Sequence, residues 1–357
     1  MKSINTIFKI AIFLIIITGC RNDKHFGTDG VLFDVESFPT VETAGKGVVI
    51  PDISESLGKA HGICVVNDSI AAVLQNGSEE VILVNLRSGK SQVAVRKGEA
   101  PLDMLWATSM SVDPEGKLWI TGGMDKKVMN ASWNPDGEEA ITELAFRSSE
   151  DILRGVTDGK GGIVGLPATA EPVRITHMDG EGNAIHSFGS FPSAEMPDSV
   201  KPNNYIFQAD LAYSGSKRKA VVANMSWNQI GIYSELEGKD DIEMRADIDD
   251  NIHIETMANG SVSMSMPKPF WLMYSQARAF ESSFMVGYIG VEVKSDSDMD
   301  RNIKYILEFD WDGKPLRKYS FEREIISFDF DEKNGILFTI ENNPDPVIMK
   351  YEVIKPK

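Results

Sequence analysis

The chain has 357 residues and a net charge of −17, from 36 basic and 53 acidic side chains. An excess of acid this large repels nucleic acid phosphates and anionic lipid headgroups, so we exclude nucleic acid as a partner. Cys20 and Cys64 are the only cysteines, which leaves no disulfide framework.

The N-terminus combines basic residues with a short apolar run. Lys2 and Lys9 accompany the isoleucine-rich residues 7–17, which are fewer than the roughly 20 residues of a membrane-spanning helix. This pattern predicts a signal peptide over residues 1–19. Residues 17–20, Ile-Thr-Gly-Cys, resemble the bacterial lipobox, and this resemblance implies that Cys20 is lipidated.

Lipidation of Cys20 predicts a protein held on the membrane of the cell envelope by acyl chains, at about 0.8 kcal/mol for each buried CH₂. Loss of residues 1–19 removes two lysines and no acids, which brings the net charge to −19. Lipid rather than charge is therefore expected to hold the protein. Residues 20–30 are polar and predict a tether. The alternative is an ordinary cleaved signal whose cysteine is incidental.

After residue 30, short runs of β-branched and aromatic residues alternate with turns rich in glycine, asparagine and aspartate. Such runs are typical of strands, and long amphipathic helix patterns are missing. The runs recur in groups of four, which is typical of a repeat fold. The groups cover residues 61–96, 109–146, 153–188, 207–245, 272–320 and 325–353, and the last group is one strand short.

The missing strand is expected at the front of the chain, at Val31-Leu-Phe-Asp-Val, residues 31–35. Pairing the last group with this segment would remove an open sheet edge. The sequence therefore predicts an all-β fold, a six-bladed β-propeller closed by an N-terminal strand, over residues 31–357. Two insertions, residues 247–270 and 294–302, predict loops on the binding face.

Turn and core residues support this register. An Asp-Gly pair, which predicts a type I′ hairpin, falls between the third and fourth strands of three groups, at Asp136-Gly137, Asp179-Gly180 and Asp312-Gly313. We expect Trp133 and Trp311, which precede two of these turns, to pack between blades rather than stack on a ligand. Cys64 lies in an apolar run and is expected to be buried.

Three stretches near the C-terminus carry a resemblance to a known family. They are residues 284–290 (Phe-Met-Val-Gly-Tyr-Ile-Gly), 305–319 (Tyr-Ile-Leu-Glu-Phe-Asp-Trp-Asp-Gly-Lys-Pro-Leu-Arg-Lys-Tyr) and 326–340 (Ile-Ser-Phe-Asp-Phe-Asp-Glu-Lys-Asn-Gly-Ile-Leu-Phe-Thr-Ile). They resemble the last two blades of TolB-like six-bladed propeller lipoproteins, which abound in Bacteroidetes. The resemblance implies a six-bladed propeller in the cell envelope. It implies no reaction, so no catalytic residue is assigned.

The residues after Cys20 bear on which way the anchored protein faces. Surface-exported lipoproteins of that phylum tend to carry several acids directly after the lipidated cysteine. Residues 21–24 are Arg-Asn-Asp-Lys and hold a single acid. The protein is therefore expected to face either the periplasm or the cell surface.

The sequence offers no metal or cofactor motif. Zinc sites need closely spaced histidines and cysteines, and no such pair exists among His25, His61, His177, His186 and His253. Asp296, Asp298 and Asp300 alternate as in a calcium loop, but Arg301 stands where the turn glycine belongs. We therefore predict a solvated acidic insertion there, and likewise at Asp247, Asp249 and Asp250. No glycine-rich phosphate loop precedes a helix, and no Gly-x-Ser-x-Gly elbow is present.

The favoured function is binding: an anchored envelope lipoprotein presents one face of its propeller to a peptide, a glycan or an envelope protein. The alternative is a metal-dependent hydrolase of lactones or esters with its site in the axial channel. Gluconolactonase-like propellers hold one calcium ion there with Glu, Asn and Asp. A purely structural envelope component is a third hypothesis. The candidate binding residues at the channel mouth are His61, Asn204 and Asn228.

Overall fold

The computed structural model describes residues 31–42, 44–50, 57–123, 125–192, 200–236, 241–248, 253–256, 262–265, 268–298, 301–342 and 345–353. The predicted signal peptide, Cys20 and the tether lie outside these residues, as do Asp249, Asp250 and Asp300. The described part is all-β, and its helical segments are two 3₁₀ turns, Val35–Ser37 and Asp296–Asp298. Neither turn is long and apolar enough to cross a bilayer.

The strands follow one another with short connections. In chain order they are Val31–Phe33 (β1), Thr40–Glu42 (β2), Ala44–Val49 (β3), Lys59–Val65 (β4), Ile70–Asn76 (β5), Glu79–Asn85 (β6), Ser91–Arg96 (β7), Ala107–Val112 (β8), Leu118–Gly122 (β9), Lys127–Ser132 (β10), Ile141–Arg147 (β11), Ile152–Thr157 (β12), Ile163–Pro167 (β13), Ile175–Met178 (β14) and Ala184–Phe188 (β15). The remaining strands are Ala209–Ser214 (β16), Lys219–Asn224 (β17), Ile230–Ser234 (β18), Ile242–Ala246 (β19), His253–Thr256 (β20), Val262–Ser265 (β21), Phe270–Ala279 (β22), Ser283–Val293 (β23), Ile303–Asp310 (β24), Pro315–Asp331 (β25), Ile336–Asn342 (β26) and Pro346–Glu352 (β27).

Most strands form antiparallel sheets of four neighbours in chain order: β4–β7, β8–β11, β12–β15 and β16–β19. The strands β22–β27 form one longer sheet in which β25 is shared. Residues 315–320 of this strand pair with β24, and residues 325–331 pair with β26. Second strands such as β5 are buried on both faces, which explains their unbroken apolar sequence. Fourth strands such as β11 are largely exposed.

The first strands of the sheets pack against one another in a cycle. The order is β4, β8, β12, β16, β22 and β25, and β25 packs back against β4. Apolar clusters fill the spaces between neighbouring sheets; Ile63 and Val73 of the first sheet, for example, share a cluster with Phe338 of β26. Sheets packed in this way around an axis form a β-propeller arrangement, so the all-β propeller prediction is confirmed.

The N-terminal segment pairs differently from the prediction. Val31–Phe33 (β1) does not pair with β27; it pairs in parallel with β19. The strand beside β27 is Ala44–Val49 (β3), and the pairing is antiparallel. The reason is aromatic packing, because Phe33 and Phe38 contact Phe309 of β24 with ring-centroid distances of 5.3 and 5.2 Å. These contacts hold β1 against β19 and β24. The strand that pairs with β27 is therefore supplied by later residues, those of β3.

The predicted type I′ turns are also wrong. Gly137 and Gly180 have no positive φ, and in Asp312-Gly313 only the glycine has one, at +79°. The first of them begins at Asn134, and the other two begin at an aspartate whose carbonyl accepts the N–H three residues later, while its carboxylate accepts two further backbone N–H groups. This type I turn with a bulge needs one left-handed residue rather than two. It occurs at Asp113, Asp179 and Asp310, with the left-handed glycines Gly116, Gly182 and Gly313.

Trp133, Trp311 and Cys64 pack as predicted, and both insertions contain described residues. The first insertion contains the hairpin of β20 and β21, and the second contains the 3₁₀ turn Asp296–Asp298. Trp311 is buried in the cluster between the β16–β19 sheet and the following sheet, and Trp133 packs against the cluster between the first two sheets. Cys64 is buried and forms no disulfide.

Candidate functional site

A cavity of about 400 Å³ lies within the ring of first strands. Every strand of the cycle contributes to its lining, so the cavity lies on the axis of the propeller. The contributing residues include, one for each strand, His61, Met110, Arg154, Asp210, Gln276 and Ile326. A volume of this size falls in the usual range for small-molecule sites, roughly 300–1,000 Å³.

A second cavity of about 340 Å³ adjoins the axial cavity. Its wall is mainly apolar, and two aromatic side chains on it, Trp106 and Tyr205, remain 49% and 55% exposed. The two cavities share four lining residues and therefore form one site, here called the joined cavity. The shared residues are Trp106, Thr108, Arg154 and Met225.

The loop between β7 and β8, which carries Trp106, is fastened at its base by a buried lysine. Lys127 is 4% exposed and donates hydrogen bonds to the carbonyl groups of Ala100, at 2.8 Å, and Asp103. Asp125 lies 3.9 Å from the same ammonium group and accepts a further backbone N–H of the loop. A buried cation needs such partners, so these bonds fix the loop and with it the position of Trp106.

Arg154 on β12 and Asp210 on β16 form an ion pair inside the channel. Arg154 Nε lies 3.0 Å from Asp210 Oδ1, and Oδ2 accepts the N–H of Gln276 at 2.7 Å. Burial alone raises the pKa of Asp210, but Arg154 and the Gln276 N–H outweigh burial and lower the pKa overall. The carboxylate is therefore charged at neutral pH. Arg154 also donates from Nη1 to the Leu153 carbonyl at 2.9 Å, and a third of its side chain stays exposed.

Gln276 on β22 connects three strands around the channel. Its backbone bulges with a φ of +54°, a conformation that costs a residue with a side chain roughly 1–2 kcal/mol. The side-chain amide donates to the carbonyl groups of Ile326, at 3.2 Å, and His61, at 3.4 Å. Its oxygen accepts from Ser327 Oγ at 3.0 Å and from the N–H of Phe328 at 3.1 Å. These bonds to β4 and β25 hold the strained backbone in place.

His61 is the predicted site residue that lies in the lining of the axial cavity. Burial lowers the pKa of its imidazole, and the positive charge of Arg154 lowers it further, while Asp210 acts in the opposite direction. The imidazole is therefore neutral at physiological pH. In that state one ring nitrogen donates a hydrogen bond and the other accepts one.

The other two predicted site residues, Asn204 and Asn228, form hydrogen bonds within the protein. Asn204 is 1% exposed and borders the smaller cavity, but it accepts a 2.7 Å bond from Arg174 and donates to backbone carbonyls around β13 and β14. Asn228 lines neither cavity. It donates to the carbonyl groups of Ala246 and Ile248, both at 2.7 Å, and accepts the Ala246 N–H. The amide groups of both asparagines therefore brace loops, and their binding role stays a prediction.

A second ion pair, partly buried, joins Arg278 of the axial cavity lining to Asp329, with 3.3 Å between Nε and Oδ1. Asp329 accepts the Val65 N–H at 2.6 Å, and Arg278 donates to the Ile63 carbonyl at 2.8 Å. Burial raises the pKa of Asp329 despite these partners. Burial, and next the Asp329 charge, raise the pKa of the neighbouring Cys64 thiol, so this thiol is not a nucleophile at neutral pH.

The joined cavity does not fit a metal ion. Calcium takes six to eight oxygen ligands, whereas the acids among the described lining residues are Asp151 and Asp210, and the second is already paired with Arg154. Across the described ranges, no group of three or more His, Cys, Asp or Glu side chains could hold a metal. The axial calcium site of gluconolactonase-like propellers therefore does not match these residues. In the acidic insertion, Asp296 is exposed and pairs with Lys268 at 2.5 Å.

Sequence reasoning missed most of the joined cavity. For Arg154, Asp210 and Gln276 a signal was present, because each is a charged or amide residue inside a first strand whose neighbours are small or apolar. A polar residue at such a position faces the axis or is braced by another strand. Trp106 and Tyr205 carry no such signal, because both precede their strands in loops.

Comparisons with known proteins concern the fold. No protein-family model matches the chain, and no curated protein matches it. The structure of a Bacteroides fragilis protein described as exported has a TM-score of 0.55 at 11% identity, over 91% of this chain and 99% of that chain. A gluconolactonase from Xanthomonas campestris has a TM-score of 0.51 at 10% identity, and the match covers 89% of this chain and 95% of the gluconolactonase. Virginiamycin B lyase from Staphylococcus aureus has a TM-score of 0.47 at 12% identity, and the match covers 87% of this chain and 99% of the lyase.

Proposed function

We propose that this chain is a ligand-binding propeller of the bacterial cell envelope, anchored by lipid on Cys20, and that the ligand occupies the joined cavity. The observation that carries the binding role is the pair of half-exposed aromatic side chains, Trp106 and Tyr205, beside a concave site that contains Arg154. Apolar walls with a few placed polar groups are typical of ligand sites. The occupant is a small molecule, a peptide end or a glycan unit.

The propeller is proposed to have six blades. When the shared strand β25 is divided, the longest sheet becomes two sets of four strands, in addition to the four separate sheets. The second set consists of residues 325–331, β26, β27 and β3. In this arrangement Ala44–Val49 (β3) closes the ring from the N-terminal side. The cycle of first-strand contacts, which returns from β25 to β4, supports the count.

Envelope anchoring rests on the sequence. The lipobox-like residues 17–20 supply the lipidated cysteine, and the TolB-like resemblance implies a lipoprotein. The likeness to a Bacteroides fragilis protein described as exported agrees with a location outside the cytoplasm. Labelling cells with a fatty-acid analogue should tag the protein and should not tag the Cys20→Ser form. A tagged Cys20→Ser form would contradict the anchor.

The binding role is tested with the Cys20→Ser form and a mixed library of neutral and charged fragments, followed by ligand-observed NMR. Fragments that give an NMR binding effect with the Cys20→Ser form should give none with its Trp106→Ala variant. They should keep the binding effect with Ile185→Ala, which removes a similarly exposed apolar side chain, 58% exposed, from the outer strand β15. If no fragment binds, or if binding survives Trp106→Ala, the joined cavity is not the binding site.

A metal-dependent hydrolase is the alternative function. Its support is the likeness of fold to a gluconolactonase, and the acids of the joined cavity are too few for a calcium ion. A panel of lactones and esters, with and without divalent metal ions, separates the two functions. We expect no metal-dependent turnover, and such turnover would replace the binding role with catalysis.

A further inference from the structure

The charge of the ligand can be inferred from Arg154, on the premise that the joined cavity is the binding site. Arg154 lines both cavities and spends two of its five N–H donors on protein acceptors, Asp210 and the Leu153 carbonyl. The other three N–H groups have no hydrogen-bond acceptor among the described residues. A guanidinium group is always charged, so donors left free in a cavity favour an acceptor with negative charge.

The axial cavity is also basic, although the chain as a whole has a net charge of −17. Its lining contains three arginines, and the Arg154 and Arg278 pairs account for two of them. The third, Arg301, is exposed and forms no ion pair within the described ranges. It comes from the second insertion, which thus places a positive charge at the axis. A basic cavity in an acidic protein concentrates anions.

The smaller cavity, by contrast, is mainly apolar. Besides the exposed rings of Trp106 and Tyr205, its wall includes Leu153, Leu166 and Met225. Aromatic rings of this kind bind flat apolar groups by stacked or edge-on contact. The joined cavity therefore has a basic end and an apolar end, and Arg154 lies where the two meet.

We propose that the joined cavity binds an organic carboxylate with an apolar, ring-bearing body. The carboxylate lies against the free edge of Arg154, with Arg301 as the second positive charge. The ring lies along Trp106 and Tyr205. A carboxylate is the matching anion because a guanidinium group offers parallel N–H donors to its two oxygens.

The test compares 4-phenylbutyrate with 4-phenylbutyramide, which have the same shape and differ in charge. In NMR titrations of the Cys20→Ser form, the acid should bind about tenfold more tightly than the amide, as expected for one charge-assisted hydrogen bond. Arg154→Gln should weaken acid binding about tenfold and leave amide binding unchanged. Arg87→Gln, at an arginine that is 72% exposed and outside both cavities, should change neither.

A second variant keeps the test decisive if Arg154→Gln fails to fold. Asp210→Asn removes the carboxylate that competes for Arg154, so it should strengthen acid binding several-fold; unchanged or weaker binding would overturn the inference. Equal affinities for acid and amide would overturn it too. If both probes then lose binding in Trp106→Ala, the proposed binding function stands without the charge preference. If neither probe nor any library fragment binds, both proposals fail.

Discussion

His177 on β14 reaches across the boundary between two sheets and forms a 2.7 Å hydrogen bond through Nδ1 with Glu235, which follows β18. Its Nε2 lies 3.0 Å from Asp158 Oδ2 of its own sheet, so the imidazole lies between two carboxylates. Glu235 also accepts from Tyr213 at 2.5 Å and from Arg218 at 3.2 Å. This cluster joins two neighbouring sheets through charges, and its strength therefore depends on pH.

The sign of that dependence follows from the two pKa values. The bond to Asp158, and next Glu235, raise the pKa of His177 against the opposing effect of burial. Burial raises the pKa of Glu235, but Arg218, Tyr213 and His177 outweigh it and lower the pKa to about 2. The histidine stabilises the fold fully below its unfolded value of 6.5 and loses this effect as pH rises through the raised pKa. The glutamate stabilises above 4.5 and loses its effect as pH falls toward 2.

We therefore expect His177→Gln to lower the melting temperature most between pH 4.5 and 6.5 and least in alkaline solution. The decrease should be about 1–2 °C for each kcal/mol of lost stability, because a domain of this size has a large entropy of unfolding. Calorimetry of both proteins across this range measures it. His186→Gln, at a histidine on the outer strand β15, is the control and should change the melting temperature little. A difference for His177→Gln that is constant with pH would show that its charge plays no part.

Phe33 is expected to secure the N-terminal segment. Its ring is buried against Phe309 and lies 5.9 Å from Phe38, so Phe33→Ala should lower the free energy of unfolding by about 3–5 kcal/mol. Leu32→Ala changes the neighbouring residue of β1, which is 53% exposed, and should cost less than about 0.5 kcal/mol. Chemical denaturation measures both values. Equal effects of the two substitutions would mean that β1 is not held by aromatic packing.

Local patterns were enough to predict the strands, because a strand between two packed layers must be apolar on both faces wherever it lies in the ring. They were not enough to choose between residues 31–35 and 44–49 as the partner of β27, because both segments contain short apolar runs. The choice depends on the contact of Phe33 with Phe309, which are far apart in sequence. Turn type was missed because the side chain of an earlier aspartate, such as Asp310, determines it.

The site was predictable to a smaller extent. The place of His61 in the lining of the axial cavity could be predicted, because a polar residue at the start of a first strand can face the axis. The Arg154–Asp210 pair was missed because its two residues lie on different sheets, and only the ring order brings these sheets together. The location of Asn228 outside both cavities could not be predicted, since an amide near a strand start can bond loop carbonyls as readily as a ligand.

Cys64 is expected to be unreactive in the native protein. It is a buried free thiol, and burial together with Asp329 raises its pKa, so the thiolate that would react is scarce. In the Cys20→Ser form Cys64 is the remaining thiol, and a chromogenic disulfide reagent should label it only after unfolding. The rate of labelling in denaturant provides the reference. Rapid labelling without denaturant would mean that the innermost strand β4 opens readily.

Lys127 is expected to control the joined cavity from a distance, through the loop that carries Trp106. Lys127→Met removes the donor to the Ala100 and Asp103 carbonyls and leaves Asp125 without its cation. Loss of these buried bonds should cost about 1–3 kcal/mol and should speed amide hydrogen exchange in residues 97–106.

The exposed Lys117, which pairs with Glu143 at 2.7 Å, provides the matched control. Lys117→Met should leave exchange in residues 97–106 unchanged, because surface ion pairs contribute little. Under the same conditions Lys127→Met should weaken binding of 4-phenylbutyrate, since Trp106 is then no longer held at the cavity. Unchanged exchange in Lys127→Met would mean that the loop is fixed by its apolar contacts instead, chiefly the buried Met104.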